Sequence, residues 1–83
     1  MKTITCNSHK IEISGANITG KERVLYDGKE VSSKHSLTGS THIFRVNEDG
    51  EDVQYEVEIS LRWHGLNAWT IVRRKGEIVF SDR

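Results

Sequence analysis

The stretch Val53-Gln54-Tyr55-Glu56-Val57-Glu58-Ile59-Ser60-Leu61-Arg62-Trp63 alternates apolar and polar side chains without a break. A period of two puts Val53, Tyr55, Val57, Ile59, Leu61 and Trp63 on one side of an extended chain, which predicts a half-buried β-strand over residues 53–63. At roughly 3.3 Å per residue it would run about 35 Å, long for a small domain, so a bend or bulge is expected near residues 59–61.

The neighbours of this strand follow from turn chemistry. Asp49-Gly50 suits a two-residue type I′ loop, in which both central residues need positive φ. That loop sets Val46 opposite Val53, Phe44 opposite Tyr55 and His42 opposite Val57, so turn and alternation select the same core face. Asp27-Gly28 is a second such loop and places Val24 opposite Val31. Lys75-Gly76 is a third and sets Arg74 opposite Glu77 and Ile71 opposite Phe80, with Val72 and Val79 on the other face. A three-residue loop at Gly65-Leu66-Asn67 would bring Trp63 opposite Trp69 and Leu61 opposite Ile71. Residues 2–6 and 9–13 form a hairpin about Asn7-Ser8, with Ile4 opposite Ile11 and Cys6 facing His9. Residues 14–21 and 35–40, rich in Ser, Gly and Thr, read as connections.

Composition agrees with strands throughout. Val, Ile and Thr number 21 against two Ala, and there is no proline in the 83 residues. Branched side chains lose χ1 freedom in a helix and pack well on a pleated surface. Residues 1–83 therefore form a single all-β domain of seven to eight strands linked mainly by hairpins. A small antiparallel β-sandwich is expected, with a partly open β-barrel as the alternative.

Cys6 is the only cysteine, so no intrachain disulfide reinforces the core. The segment Met1–Cys6 lacks the apolar run of a signal peptide, and no stretch approaches the ~20 apolar residues of a membrane span. A cytoplasmic protein without membrane attachment is expected. The formal net charge is zero, but it is segregated: residues 1–47 sum to +3, residues 48–61 to −6 and residues 62–83 to +3. This alternation suits cross-strand ion pairs better than the basic excess of a nucleic-acid protein.

Little in the chain encodes chemistry. There is no nucleophile elbow, HExxH helix, phosphate-binding glycine loop or CxxC pair. Cys6, His9, His35, His42 and His64 lack metal-ligand spacing, so no metal or other cofactor is expected. His42 reads as an inward, half-buried histidine with a hydrogen-bond partner. Glu48, Asp49, Glu51, Asp52, Glu56 and Glu58 fall on a turn and on the wet face of one strand, where solvation is their expected role. Neither a catalytic residue nor a small-molecule substrate is indicated.

One resemblance bears on function. His9-Lys10-Ile11-Glu12-Ile13, followed by Thr19-Gly20-Lys21 and by Val24-Leu25-Tyr26-Asp27-Gly28-Lys29-Glu30, resembles the opening of the Fas apoptotic inhibitory molecule family. Tyr55-Glu56-Val57-Glu58-Ile59 is similar to a later strand of that family, so a loose similarity extends over most of the chain. The resemblance implies a compact all-β sandwich that acts through protein contacts and has no catalytic residues.

The reading that follows is a non-enzymatic module working by protein contact or self-association, through an edge strand or the hairpin region of residues 62–80. Its candidate binding residues are Arg62, Trp63, His64, Trp69, Arg73, Arg74 and Val79, with Trp63 and Trp69 also expected in the core. If residues 77–82 form an edge strand, Ile78, Val79 and Phe80 make it a docking site. The alternative is a nucleic-acid or polyanion binder using Arg62, Arg73, Arg74 and Lys75 beside Trp63 and Trp69.

Overall fold

The structure is a computed structural model, which describes residues 2–14, 21–35, 39–60 and 69–83. Its elements are β1 (Lys2–Cys6), β2 (His9–Ser14), β3 (Lys21–Tyr26), β4 (Lys29–His35), β5 (Gly39–Glu48), β6 (Glu51–Ser60), β7 (Trp69–Arg74) and β8 (Glu77–Ser81). They form two antiparallel meanders, β1-β2-β3-β4 and β5-β6-β7-β8, which face each other as a β-sandwich and do not close into a barrel.

Four two-residue loops set the register. Asn7 and Ser8, Asp27 and Gly28, Asp49 and Gly50, and Lys75 and Gly76 all have positive φ. That is the backbone of a type I′ turn, whose twist matches that of the strands it joins. The β5–β6 hairpin is the longest element, paired without interruption from Glu48↔Glu51 to Gly39↔Ser60, with Val46↔Val53, Phe44↔Tyr55 and His42↔Val57 as the alternation requires. The β1–β2 hairpin likewise has Ile4↔Ile11 and Cys6↔His9.

The pairing of β7 departs from expectation. β6 is described to Ser60, the expected continuation to Trp63 lies outside the described residues, and β7 pairs as Ser60↔Trp69, Ile59↔Thr70 and Glu58↔Ile71 instead of Leu61 opposite Ile71. The displacement is three residues, and an odd displacement exchanges the two faces of a strand. Val72 and Thr70 therefore point into the core, while Trp69, Ile71 and Arg73 lie on the outer face, where Ile71 is nonetheless buried, with 4% exposure. The cause is visible in Trp69-Thr70-Ile71-Val72, where adjacent apolar residues give no clear alternation to choose a face.

No bulge bends β6 within the described residues. The irregularities fall instead on β4 and β8, the last strand of each sheet. Val24 pairs with Ser32 and Leu25 with Glu30, so Val31 is an extra residue. Val72 pairs with Phe80 and Arg73 with Ile78, so Val79 is an extra residue. Each bulge lies at the third position after a type I′ loop, and the two sheets thus repeat one plan: hairpin, hairpin, bulged edge. A bulge adds local twist and interrupts an edge against further pairing.

The core is built from the facing sides of both sheets. Ile11, Val24, Val53, Tyr55, Val57 and Val72 have no exposed surface, and Ile4, Ile13, Tyr26, Phe44 and Ile59 complete the cluster. Phe44 and Tyr55 stack with centroids 5.4 Å apart, and Tyr26 meets Tyr55 at 5.7 Å. Such aromatic contacts add about 0.5–1.5 kcal/mol each beyond area burial.

Candidate functional site

Counting by twos inward from Val24 and Phe44 reaches two charged residues. Glu22 lies two positions before Val24 and Glu48 four after Phe44, and both are buried, with 0% and 4% exposure. Glu48 is thus not the solvated acid expected from its place beside a turn. Its Oε2 accepts from Tyr26 OH at 2.6 Å and from Tyr55 OH, and its Oε1 accepts from Arg74 Nη2 at 2.8 Å and Nε at 3.1 Å. Burial opposes ionisation, yet the hydrogen bonds from Tyr26, Tyr55 and Arg74 together outweigh it and hold the carboxyl below its ordinary range. Burial and the same carboxylate push the Tyr26 and Tyr55 hydroxyls upward, so both stay protonated donors. The group clamps β3 to β5, β6 and β7 where the hairpin loops gather.

Glu22 belongs to a second network, between β3 and β4 of one sheet and β5 of the other. His42 has 0% exposure, more than the half-burial expected. Its Nδ1 lies 2.7 Å from Ser32 Oγ and its Nε2 3.2 Å from both Glu22 Oε1 and Ser40 Oγ, while Ser40 Oγ donates to Glu22 Oε1. A carboxylate only accepts, so a neutral ring carries its proton on Nε2 and takes the Ser32 proton at Nδ1. This order of hydroxyl, imidazole and carboxylate can activate an oxygen nucleophile. Here the base and carboxylate have no exposed surface, and the network stitches the β4–β5 seam. Among the described residues, Glu22 Oε2 is buried without a hydrogen-bond partner.

The exposed apolar residues lie elsewhere. Ile43 and Ile78 are each 58% exposed and Val79 is 41% exposed. Pairing places Ile43, Glu56, Arg73 and Ile78 in one row across the outer face of the second sheet, one residue per strand. Arg73 Nη1 donates to Glu56 Oε2 at 2.9 Å and to Glu58 Oε1 at 3.1 Å, so the centre of the row is an ion pair flanked by isoleucines. The bulge explains why Ile78 and Val79 are both outside while Phe80 turns inward. Val31, the equivalent extra residue of β4, is packed against the core.

The described residues among those singled out by sequence, Trp69, Arg73, Arg74 and Val79, do not form one site. Arg62, Trp63, His64 and the Gly65-Leu66-Asn67 loop lie outside the described residues. Trp69 is half-buried on the outer face beneath the Arg83 guanidinium, 5.1 Å from its ring centroid, and does not join the core cluster. The cause is the three-residue displacement of β7. Arg73 and Arg74 are adjacent in a strand and point to opposite faces. Both are ion-paired, as is Lys75 with Glu51, so the described cations of the polyanion reading already have partners. Val79 is exposed at the edge, as the docking reading requires. Neither Glu22 nor Glu48 was found from the sequence, although strand parity marks both.

Among the described residues, no three His, Cys, Asp or Glu side chains converge as metal ligands, and no helix is long and apolar enough to cross a membrane. Fold and surface together define a small two-sheet β-sandwich with two buried polar networks and an ion pair flanked by isoleucines on one outer face. A scan of family models, a search of curated proteins and a search of solved structures each find no match to the chain.

Proposed function

We propose that this chain is a non-enzymatic β-sandwich module that works by protein contact, and that its contact surface is the outer face of the second sheet. The carrying observation is the row Ile43–Glu56–Arg73–Ile78, where two strongly exposed isoleucines flank a charge pair. Exposed isoleucines gain by leaving water, and a charge pair between them fixes partner and register. The face is favoured over strand addition at β8. A bulge at Val79 interrupts that edge, and Lys2 covers its far end by pairing with Asp82 and lying over the Phe80 ring. The resemblance to the Fas apoptotic inhibitory molecule family supports the same kind of role. The occupant that matches is a second copy of this chain, since the row carries one acid and one base and is apolar at both ends.

The test uses a photo-reactive residue at Ile78 in the intact chain, and another at Thr3 on the first sheet as control. A discrete protein adduct at position 78 alone is expected in the source cell, with the mass of a second copy. No adduct at 78, or the same adducts from both positions, would defeat the contact reading. An adduct of another mass would keep the face and reject self-association.

A further inference from the structure

We infer that two copies pack their second sheets face to face about a two-fold axis running parallel to the strands, between β6 and β7. The inference rests on the proposed contact reading and specifies its geometry. It follows from the order of residues in the row, Ile43 on β5, Glu56 on β6, Arg73 on β7 and Ile78 on β8.

A closed dimer presents the same patch from both copies, so the patch must complement itself under the symmetry operation. Two in-plane axes pass through the centre of this row. An axis perpendicular to the strands lays each strand over itself, setting Glu56 against Glu56 and Arg73 against Arg73 of the second copy. Like charges face each other, which disfavours that arrangement. An axis parallel to the strands lays β5 over β8 and β6 over β7. Ile43 then meets Ile78 of the second copy, and Glu56 meets its Arg73, in both directions. On the next row Thr41 meets Ser81, both small and polar, and Glu58, which keeps its own Arg73 as partner, meets Ile71, which at 4% exposure offers little surface. Only the second axis makes the row complementary, and the internal Glu56–Arg73 pair becomes a four-membered network. Packed sheets keep their strands within about 30° of each other, which this axis permits.

The size of the face sets the strength. Four strands and about five residues give roughly 15 by 17 Å, on the order of 300 Å² per copy, well below the ~800 Å² per partner of a stable complex. The dimer is therefore transient.

The charge order supplies a test that fold loss cannot imitate. Glu56→Arg makes the centre of the row wholly basic, and Arg73→Glu makes it wholly acidic. Each variant alone is expected to associate at least tenfold more weakly than the parent chain, followed by sedimentation and NMR diffusion from about 0.02 to 1 mM to bracket so small an interface. An equimolar mixture of the two restores association, because the arginine introduced at position 56 of one variant then faces the glutamate introduced at position 73 of the other. Ile78→Glu, on an exposed side chain, abolishes it. Thermal melts of each variant establish that it is folded. A parent chain monomeric at about 1 mM, or a mixture of folded variants no more associated than its components, overturns the inference. The mixture tests the charge contact about either axis, and the double swap Glu56→Arg with Arg73→Glu reads the axis itself. About the parallel axis it self-associates and rejects the parent chain, whereas a swap that joins the parent in preference to itself, with the adduct at position 78 retained, means that the axis is wrong and the contact face stands.

Discussion

Glu48 and Glu22 are two buried carboxylates on the inner face of the same sandwich, and their surroundings differ in completeness. Both oxygens of Glu48 accept hydrogen bonds, from two tyrosines and an arginine. Among the described residues, only one oxygen of Glu22 does so, from Ser40 and His42. A buried polar network adds rigidity when every member is satisfied, and a half-satisfied one gives little net stability. The first is thus a structural clamp, whereas the second is a weaker stitch across the β4–β5 seam.

Truncation separates them most strongly. Glu48→Ala leaves the Arg74 guanidinium without its carboxylate and two buried tyrosine hydroxyls without an acceptor. Breaking such a pair costs about 3–5 kcal/mol. Glu22→Ala removes a carboxylate that was itself half unsatisfied, and Ser40 and His42, 3.2 Å apart, can bond to each other. Its cost is expected nearer 1–2 kcal/mol. Urea denaturation of both variants measures the difference; equal losses would break the comparison.

Gly39→Ala probes the weaker network from its backbone. Gly39 has φ of +115°, and a Cβ there would stand 2.9 Å from Ser60 Cα and closer still to the Ile59 carbonyl oxygen. Backbone cannot yield as a flexible side chain would, so the start of β5 must move off β6, carrying Ser40 with it. A loss of roughly 2–3 kcal/mol is expected. Hydrogen exchange should loosen around Ser40 and His42 while the amides near Glu48 keep their protection. Loosening at both ends would show that the networks are one cooperative unit.

These contrasts bear on what could be read from the chain. The β5–β6 register was legible because a loop that demands positive φ and an unbroken alternation agree, and the Asn7-Ser8 hairpin followed the same logic. β7 was not, because Ile71 and Val72 are both apolar and either can face inward. The bulges at Val31 and Val79 escaped notice because an apolar residue at each position suits a regular hairpin as well. Glu22 and Glu48 were within reach of parity, but a charged side chain is ordinarily assigned to water, and only the tyrosines, serines and histidine gathered from distant strands make burial tolerable. The Ile43–Glu56–Arg73–Ile78 row depends on the β7 register and could not precede it.

Acid should release the clamp. Because the folded Glu48 carboxyl titrates below its ordinary value, its contribution is complete above the unfolded pKa and is lost as pH falls through the folded one. The parent chain should therefore lose stability below about pH 4.5, and Glu48→Gln should show a shallower acid slope from a lower starting stability. Denaturant midpoints from about pH 6 to 2.5 test this. An unchanged slope in Glu48→Gln would assign the acid sensitivity to other carboxylates.

The smallest effect expected comes from the pair that borders the clamp. His9 stacks on Tyr26 with centroids 5.2 Å apart, and its Nδ1 lies 2.7 Å from Asp27 Oδ2. Asp27 Oδ1 also accepts from the Lys10 amide at 2.8 Å, so the carboxylate holds the β3–β4 loop against β2. The hydrogen bond to Asp27, opposed by partial desolvation, raises the His9 pKa, and the bonds from His9 and the Lys10 amide lower that of Asp27. His9 contributes fully below its unfolded value and loses that contribution as pH rises through the folded one. Asp27 contributes above its unfolded value and loses it as pH falls. The pair is therefore at full strength only between about pH 4 and 6.5, and it is solvent-exposed enough for salt to weaken it. Asp27→Asn retains a residue tolerant of positive φ and the acceptor for Lys10 while removing the charge. Proton NMR titration of His9 should show its pKa falling in that variant and, less steeply, in the parent chain at high salt. A histidine that titrates identically in both proteins would mean that the ring is held by its stacking on Tyr26 alone, and the clamp would then end at the tyrosine.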